Sequence, residues 1–199
     1  MKLKNAFFAV ISAFTVLLTG CGDKLTYKNG IADIKNANIS LAIPEDWKVV
    51  TGDGVYDELY RQLSDEYGSA KELKGSFEDG GERLLLNAQS PDGNVVALFS
   101  EFDKGEASAS EILRAVHDTT VFDFRSSDFF TDGSFDEYEW GGVSGVMSII
   151  KVSEKEGESV VLEEREFCFE CGGLIFSLKI HIMGGFEQEA DEIEISPAK

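Results

Sequence analysis

Cys168-Phe-Glu-Cys171 is the one C-x-x-C in the chain. In a redox enzyme this spacing opens a helix, whose positive end lowers the thiol pKa. Here it closes a β-rich run, contains no Pro and leads into Gly172-Gly173. A thiol–disulfide role is therefore not its expected chemistry. Two readings stay open: a disulfide across a tiny loop in an oxidising compartment, or a pair of free thiols. A metal centre would need a second pair of ligands, and His117 and His181 are the only histidines. Neither stands near a Gly-x-Ser-x-Gly elbow, and both read as surface or partly buried side chains. Acidic runs could supply oxygen ligands or catalytic carboxylates, in Glu163-Glu164 with Glu166 or from Asp132 to Glu139. The spacing of Asp128, Asp132, Gly133 and Asp136 is not that of a calcium loop. Carboxylates that hydrolyse sugars must face each other at roughly 5–10 Å, which is a tertiary property. No catalytic residue, metal ligand set or cofactor is assigned.

Residues 121–140, VFDFRSSDFFTDGSFDEYEW, hold seven of the 22 aromatic residues together with six acids. Amphipathic rings among polar groups are what partner-binding surfaces use. Phe129, Phe130, Tyr138 and Trp140 are the candidate binding residues. The competing reading is a long helix-to-strand connection whose rings fill the core beneath it. Exposure of at least two of Phe129, Phe130 and Tyr138 separates the two.

The chain has 199 residues and a formal charge of −19, with 43% hydrophobic and 28% charged residues. That is ordinary globular composition, enough for one domain with a real core. The acidity argues against nucleic acid, which needs clustered Lys and Arg, and against a polybasic grip on anionic lipid. Residues 1–20, MKLKNAFFAVISAFTVLLTG, stand apart. Lys2 and Lys4 precede an apolar run from Ala6 to Leu18, and no acid occurs before Asp23. That run is about 13 residues, short of the ~20 that span a bilayer, and fits a secretory signal. Leu18-Thr19-Gly20-Cys21 resembles a bacterial lipobox. The resemblance implies cleavage between Gly20 and Cys21 and a diacylglyceryl group on the Cys21 thiol. The mature chain would carry 16 Lys and Arg against 37 Asp and Glu, a net −21. Two acyl chains, at about 0.8 kcal/mol per buried CH₂, would hold it at the membrane on the extracytoplasmic side.

The remainder is read as a short tether over 21–30 and a single domain over 31–199, with an early strand around Ile31–Ile34. Ile39, Leu41 and Ile43 alternate as a strand that Pro44 ends. Tyr56, Tyr60, Leu63 and Tyr67 lie on one helical stripe, and a second short helix is expected over 70–77. Two strands, 82–89 and 94–102, flank the turn Ser90-Pro-Asp-Gly93. Ser108 and Glu111 form a capping box that opens a helix to about Phe122. Strands 146–152, 160–169 and 174–183 follow, then a closing helix over 186–193. The expected fold is α+β, one antiparallel sheet covered by helices. Ile39-Ser-Leu-Ala-Ile-Pro-Glu-Asp-Trp47 and the Gly-rich Gly141-Gly142-Val-Ser-Gly145 resemble PsbP-like domains, which include DcrB-type lipoproteins. The resemblance implies a non-enzymatic accessory or binding domain with no shared catalytic residues.

The expectation is thus a lipid-anchored extracytoplasmic protein that contacts a protein or cell-envelope partner. The alternative is a ligand-binding lipoprotein or small hydrolase whose site is not written as a motif. The acids, spread through 121–140, 154–170 and 187–194, are read as a solvated negative skin.

Overall fold

In Leu174–Met183, Phe176, Leu178, Ile180 and Ile182 alternate with Ser177, Lys179 and His181, so an extended chain has one apolar and one polar face. Strands built this way need cover on the apolar side only, but here both faces of β10 are buried, under two different kinds of cover. A computed structural model describes residues 25–63, 67–103 and 105–198. Gly20 and Cys21 lie outside the described residues.

Seven strands form the main sheet: β4 (Lys48–Thr51), β5 (Glu82–Gln89), β6 (Val95–Asp103), β7 (Phe130–Trp140), β8 (Val143–Ser153), β9 (Val160–Cys171) and β10 (Leu174–Met183). Their order is β4-β5-β6-β10-β9-β8-β7, antiparallel throughout. A smaller antiparallel sheet joins β1 (Leu25–Lys28), β2 (Ile31–Ile34), β3 (Ile39–Ala42) and β11 (Glu194–Pro197), in the order β1-β2-β3-β11. The helices are α1 (Gly54–Leu63), α2 (Ala70–Asp79), α3 (Ala109–Ser126) and α4 (Glu187–Ala190). The α+β class and antiparallel pairing are as expected.

The strands divide between two sheets rather than one, and the apolar face of the main sheet is the reason. Phe167, Phe169, Phe176, Leu178, Ile180 and Ile182 of that face are all buried, and the small sheet presses Ala32, Ile34, Ile39, Leu41 and Ile195 against them. At its centre Phe99, Phe176, Phe169 and Phe167 stack in sequence, with ring centroids 5.9, 5.5 and 5.7 Å apart. Each such pair adds ~0.5–1.5 kcal/mol beyond the area it buries. On the opposite face α1 and α2 lie against β4 and β5, burying Val55, Leu59, Leu73 and Phe77. The longer α3 lies across β7, β8 and β9.

Three local expectations are corrected. The stretch read as a tether already belongs to the fold, because Leu25–Lys28 pairs with Ile31–Ile34. Asn29 (φ 52°) and Gly30 (φ 74°) make the tight turn between them, in the left-handed conformation such hairpins require. The closing helix is only the four residues of α4. Ile193 and Ile195, two apart, enter the core, and Glu194–Pro197 pairs with β3. Residues 121–140 are no long connection: α3 runs to Ser126, Asp128 (φ 66°) turns the chain, and β7 starts at Phe130.

Candidate functional site: the outer strand and its two grooves

Among the described residues strand β7 pairs with β8 alone, so one edge of its eleven residues carries no ladder partner there. Successive side chains point to opposite faces. Ser134, Asp136, Tyr138 and Trp140 line a groove of about 630 Å³ on the small-sheet side, walled by Met147, Ile149, Arg165, Asp191 and Ile193. Glu137 and Glu139 line a second groove of about 560 Å³ on the other side, with Ser108, Ser144, Val146 and Glu170.

Tyr138 stands opposite Gly145 in the register, and both Tyr138 and Trp140 meet the Phe167 ring edge-on, at 6.3 and 5.8 Å. Gly145 is what admits this cluster. A Cβ there would lie 2.8 Å from the Phe167 ring and 2.3 Å from the Cys168 carbonyl oxygen. Arg165 crosses the first groove, donating to Glu163 and Asp191. These two hydrogen bonds hold its guanidinium pKa above the ordinary value although burial opposes them. In the second groove the Ala109 N–H donates to Glu170 Oε1 at 3.0 Å, so a carboxylate of this chain already meets the first turn of α3. Ser108 and Glu111 complete the capping box foreseen from their spacing.

The four aromatic candidates do not form one patch. Tyr138 is 48% exposed and Trp140 half-buried at one end of β7; Phe130, 39% exposed, starts the other. Eight residues of strand separate Phe130 from Tyr138, about 26 Å at the usual rise. Phe129 is half-buried, its ring edge-on to Phe124 at 6.3 Å. The most exposed ring is Phe122, on the outward side of α3.

A second constellation lies on the helix-facing side of the main sheet. Lys179 Nζ is 3.0 Å from Glu166 Oε2 and 3.7 Å from Glu164 Oε1. His181 Nδ1 is 3.3 Å from Glu164 Oε2, and Ser177 Oγ donates to Glu166 Oε1 at 2.6 Å. Burial would raise Glu164, but Lys179 and His181 outweigh it and bring it down to about 2. Burial also works against the Lys179 cation, yet Glu166 and Glu164 hold its pKa above the ordinary value. On the next strand but one, Glu82 is half-buried, and its burial raises its pKa to about 7. This cluster corrects two expectations. The polar face of β10 is covered, with His181 5% exposed. The acids are not all a solvated skin, for Glu58, Glu101, Glu163, Glu164 and Glu166 are buried. Nor do Glu163, Glu164 and Glu166 converge on a ligand. Glu163 turns to the other face and meets Arg165 and Lys151.

Glu82 allows a pH test. Its folded pKa, about 7, is above the unfolded 4.5, so the folded state binds the extra proton between those values and loses stability as pH rises through them. Glu82→Gln is expected to raise the melting temperature by several degrees at pH 8 and to leave it nearly unchanged at pH 4.5. A shift equal at both pH values would contradict the assigned cause.

Cys168 and Cys171 are free thiols in the structure, not a disulfide. Both lie within β9, and three residues along a strand put them on opposite faces. Cys168 sits under α3, among Ala109, Leu113 and Ile175, while Cys171 packs against the core between the sheets. Burial pushes the Cys168 thiol well above its ordinary pKa. A thiol reagent should therefore label Cys171 in the native protein and Cys168 only after denaturation, without prior reduction. Denatured, unreduced protein lacking both thiols would refute the assignment. His117 Nδ1 lies 2.8 Å from Ser148 Oγ, with its pKa lowered by burial. Among the described residues no group of three His, Cys, Asp or Glu side chains is placed to hold a metal ion. No described helix is long and apolar enough to cross a membrane.

No family model matches the chain, and no curated protein matches its sequence. Solved structures do. The solution structure of cyanobacterial PsbP (CyanoP) from Synechocystis sp. PCC 6803 aligns with a TM-score of 0.47 at 10% identity, covering 89% of this chain and 98% of that one. The crystal structure of LpqN, involved in cell envelope biogenesis of Mycobacterium tuberculosis, gives 0.42 at 14%, covering 80% and 83%. A crystal structure from Bacteroides thetaiotaomicron VPI-5482 gives 0.39 at 14%, covering 82% of this chain and 46% of that one. The protein is an α+β chain of antiparallel sheets.

Proposed function

We propose that this protein is a lipid-anchored, extracytoplasmic accessory protein that binds a protein partner at the Tyr138–Trp140 end of β7. It performs no catalytic step of its own. The observation that carries the reading is Tyr138, an amphipathic ring 48% exposed at the margin of a groove of about 630 Å³. Exposed tyrosines beside half-buried tryptophans are the kind of anchors that dominate interfaces. The polar groups of that groove argue against a small-molecule site or a hydrolase. Arg165, Glu163, Asp191 and Lys151 are engaged with one another rather than converging on a vacant point. The anchor rests on the lipobox-like Leu18–Cys21, and the extracytoplasmic address follows from it.

A photo-reactive residue placed at Tyr138 in intact cells tests this. It is expected to give a discrete cross-linked species, and the same probe at the exposed Phe122 on α3 is expected not to. Identical products from both positions, or none from Tyr138, would contradict the reading.

A further inference from the structure

We propose that β7 binds its partner by strand addition, and that the added segment alternates Lys or Arg with apolar residues. This rests on the reading that the Tyr138–Trp140 end is the partner site, and it names the mode of binding and the chemistry of what binds. Three observations meet there. The outer edge of β7 has no ladder partner among the described residues, and its N–H and C=O groups form a ready template for another strand. Each face of that edge has its own groove. The last four residues, Glu137-Tyr138-Glu139-Trp140, alternate in character: both glutamates line the α3-side groove, Trp140 lines the other, and Tyr138 borders both.

A strand laid along this edge would run about 4.8 Å from β7 and send its side chains alternately to the two faces. On the α3 side they would flank Glu137 and Glu139, which suits cations. On the small-sheet side they would flank Tyr138 and Trp140, which suits apolar groups. A second copy of the chain is the wrong occupant. Pairing β7 with itself would set two strands side by side that each carry four acids, Asp132, Asp136, Glu137 and Glu139, and no Lys or Arg, and like charges on neighbouring strands destabilise a ladder. Acids on an edge also discourage unwanted pairing. That role explains charge along β7, but not an aromatic groove on the face opposite Glu137 and Glu139.

The test uses the full chain in detergent and a capped seven-residue peptide alternating Lys and Val. Binding is expected to protect the outward-facing amides of β7 from hydrogen exchange. Glu137→Gln with Glu139→Gln should weaken it about tenfold. A peptide of the same composition with its lysines grouped together should not protect β7. N-methylation of alternate peptide residues should abolish binding in one of the two sets and spare it in the other, because only one edge of the peptide faces β7. Absence of binding, equal binding by the grouped peptide, equal effects of both N-methyl sets, or protection that accompanies dimerisation would each overturn the proposal. If cross-linking from Tyr138 persists while these fail, partner binding stands and strand addition falls. If Tyr138 cross-linking also fails, the site itself is lost.

Discussion

Lys179→Ala is expected to cost about 3 kcal/mol of unfolding free energy, read as a lower urea midpoint with an unchanged slope. Lys179 is the cation between Glu164 and Glu166, whose side chains are 7% and 5% exposed. Removing it leaves two carboxylates buried with their attraction gone, and such a loss falls at ~3–5 kcal/mol. The lower end applies because Lys179 keeps 25% of its side chain exposed and solvent screens part of the attraction. Replacing the three ionic groups together, Lys179→Met with Glu164→Gln and Glu166→Gln, should recover much of the loss. Cost arises from the unpaired charge more than from absence of the pair.

Glu164's share of the pH dependence reverses in sign between the two proteins. Glu164 in the wild type has a folded pKa of about 2, below the unfolded 4.5, so its contribution is present above pH 4.5 and is lost as pH falls towards 2. Without Lys179 the buried Glu164 favours protonation, and stability should rise as pH falls towards 4.5 more steeply than Glu82 makes it rise in the wild type. A loss below about 1 kcal/mol, with no reversal, would show that the cluster is solvated and does not hold β9 to β10.

Cys21→Ala is expected to abolish incorporation of labelled palmitate and to move the protein out of the membrane fraction. The thiol is the acceptor that the lipobox-like sequence implies, and after residue 20 the sequence has no comparable apolar run. A net charge of −21, which the chain would carry without residues 1–20, opposes an anionic surface, whereas two acyl chains hold a protein stably. Palmitate incorporation is the decisive readout, since an uncleaved apolar segment could hold a precursor at the membrane without lipid. Label retained on the Cys21→Ala chain would contradict the anchor.

The network around Lys179 was more legible than its first reading suggests. β9 and β10 are consecutive strands joined by Gly172-Gly173, and counting outward from Cys171 and Leu174 pairs Glu166 with Lys179 and Glu164 with His181. Hairpin register is local information, and it places opposite charges side by side where composition alone suggested a negative skin. The disulfide was excludable on similar grounds. Extending the strand through Cys171 puts it and Cys168 on opposite faces, whereas ending the strand at Phe169 leaves the pair open. Asn29-Gly30 is a hairpin signal set in polar surroundings, and Ile193-x-Ile195 is a strand signal set among acids.

The division into two sheets was not readable in this way. It depends on β11 meeting β3 and β6 meeting β10, pairings between strands far apart in sequence whose register no turn sets. The site is subject to the same limit. The ring-and-acid composition of 121–140 marked the right segment, but separation of Phe130 from Tyr138 follows only from both lying on one straight strand. Likewise Met147, Ile149, Arg165 and Asp191 come to the groove from three other parts of the chain.

The most direct measurement is partner retention by a Tyr138→Ser variant in purified membranes. Tyr138 is half exposed and touches Phe167 only by its edge, so fold and anchor should survive the change. With the melting temperature and membrane association confirmed at wild-type values, the cross-linked partner is expected to be lost. Full retention of the partner by that folded, anchored variant would contradict the assignment of function to the outer strand.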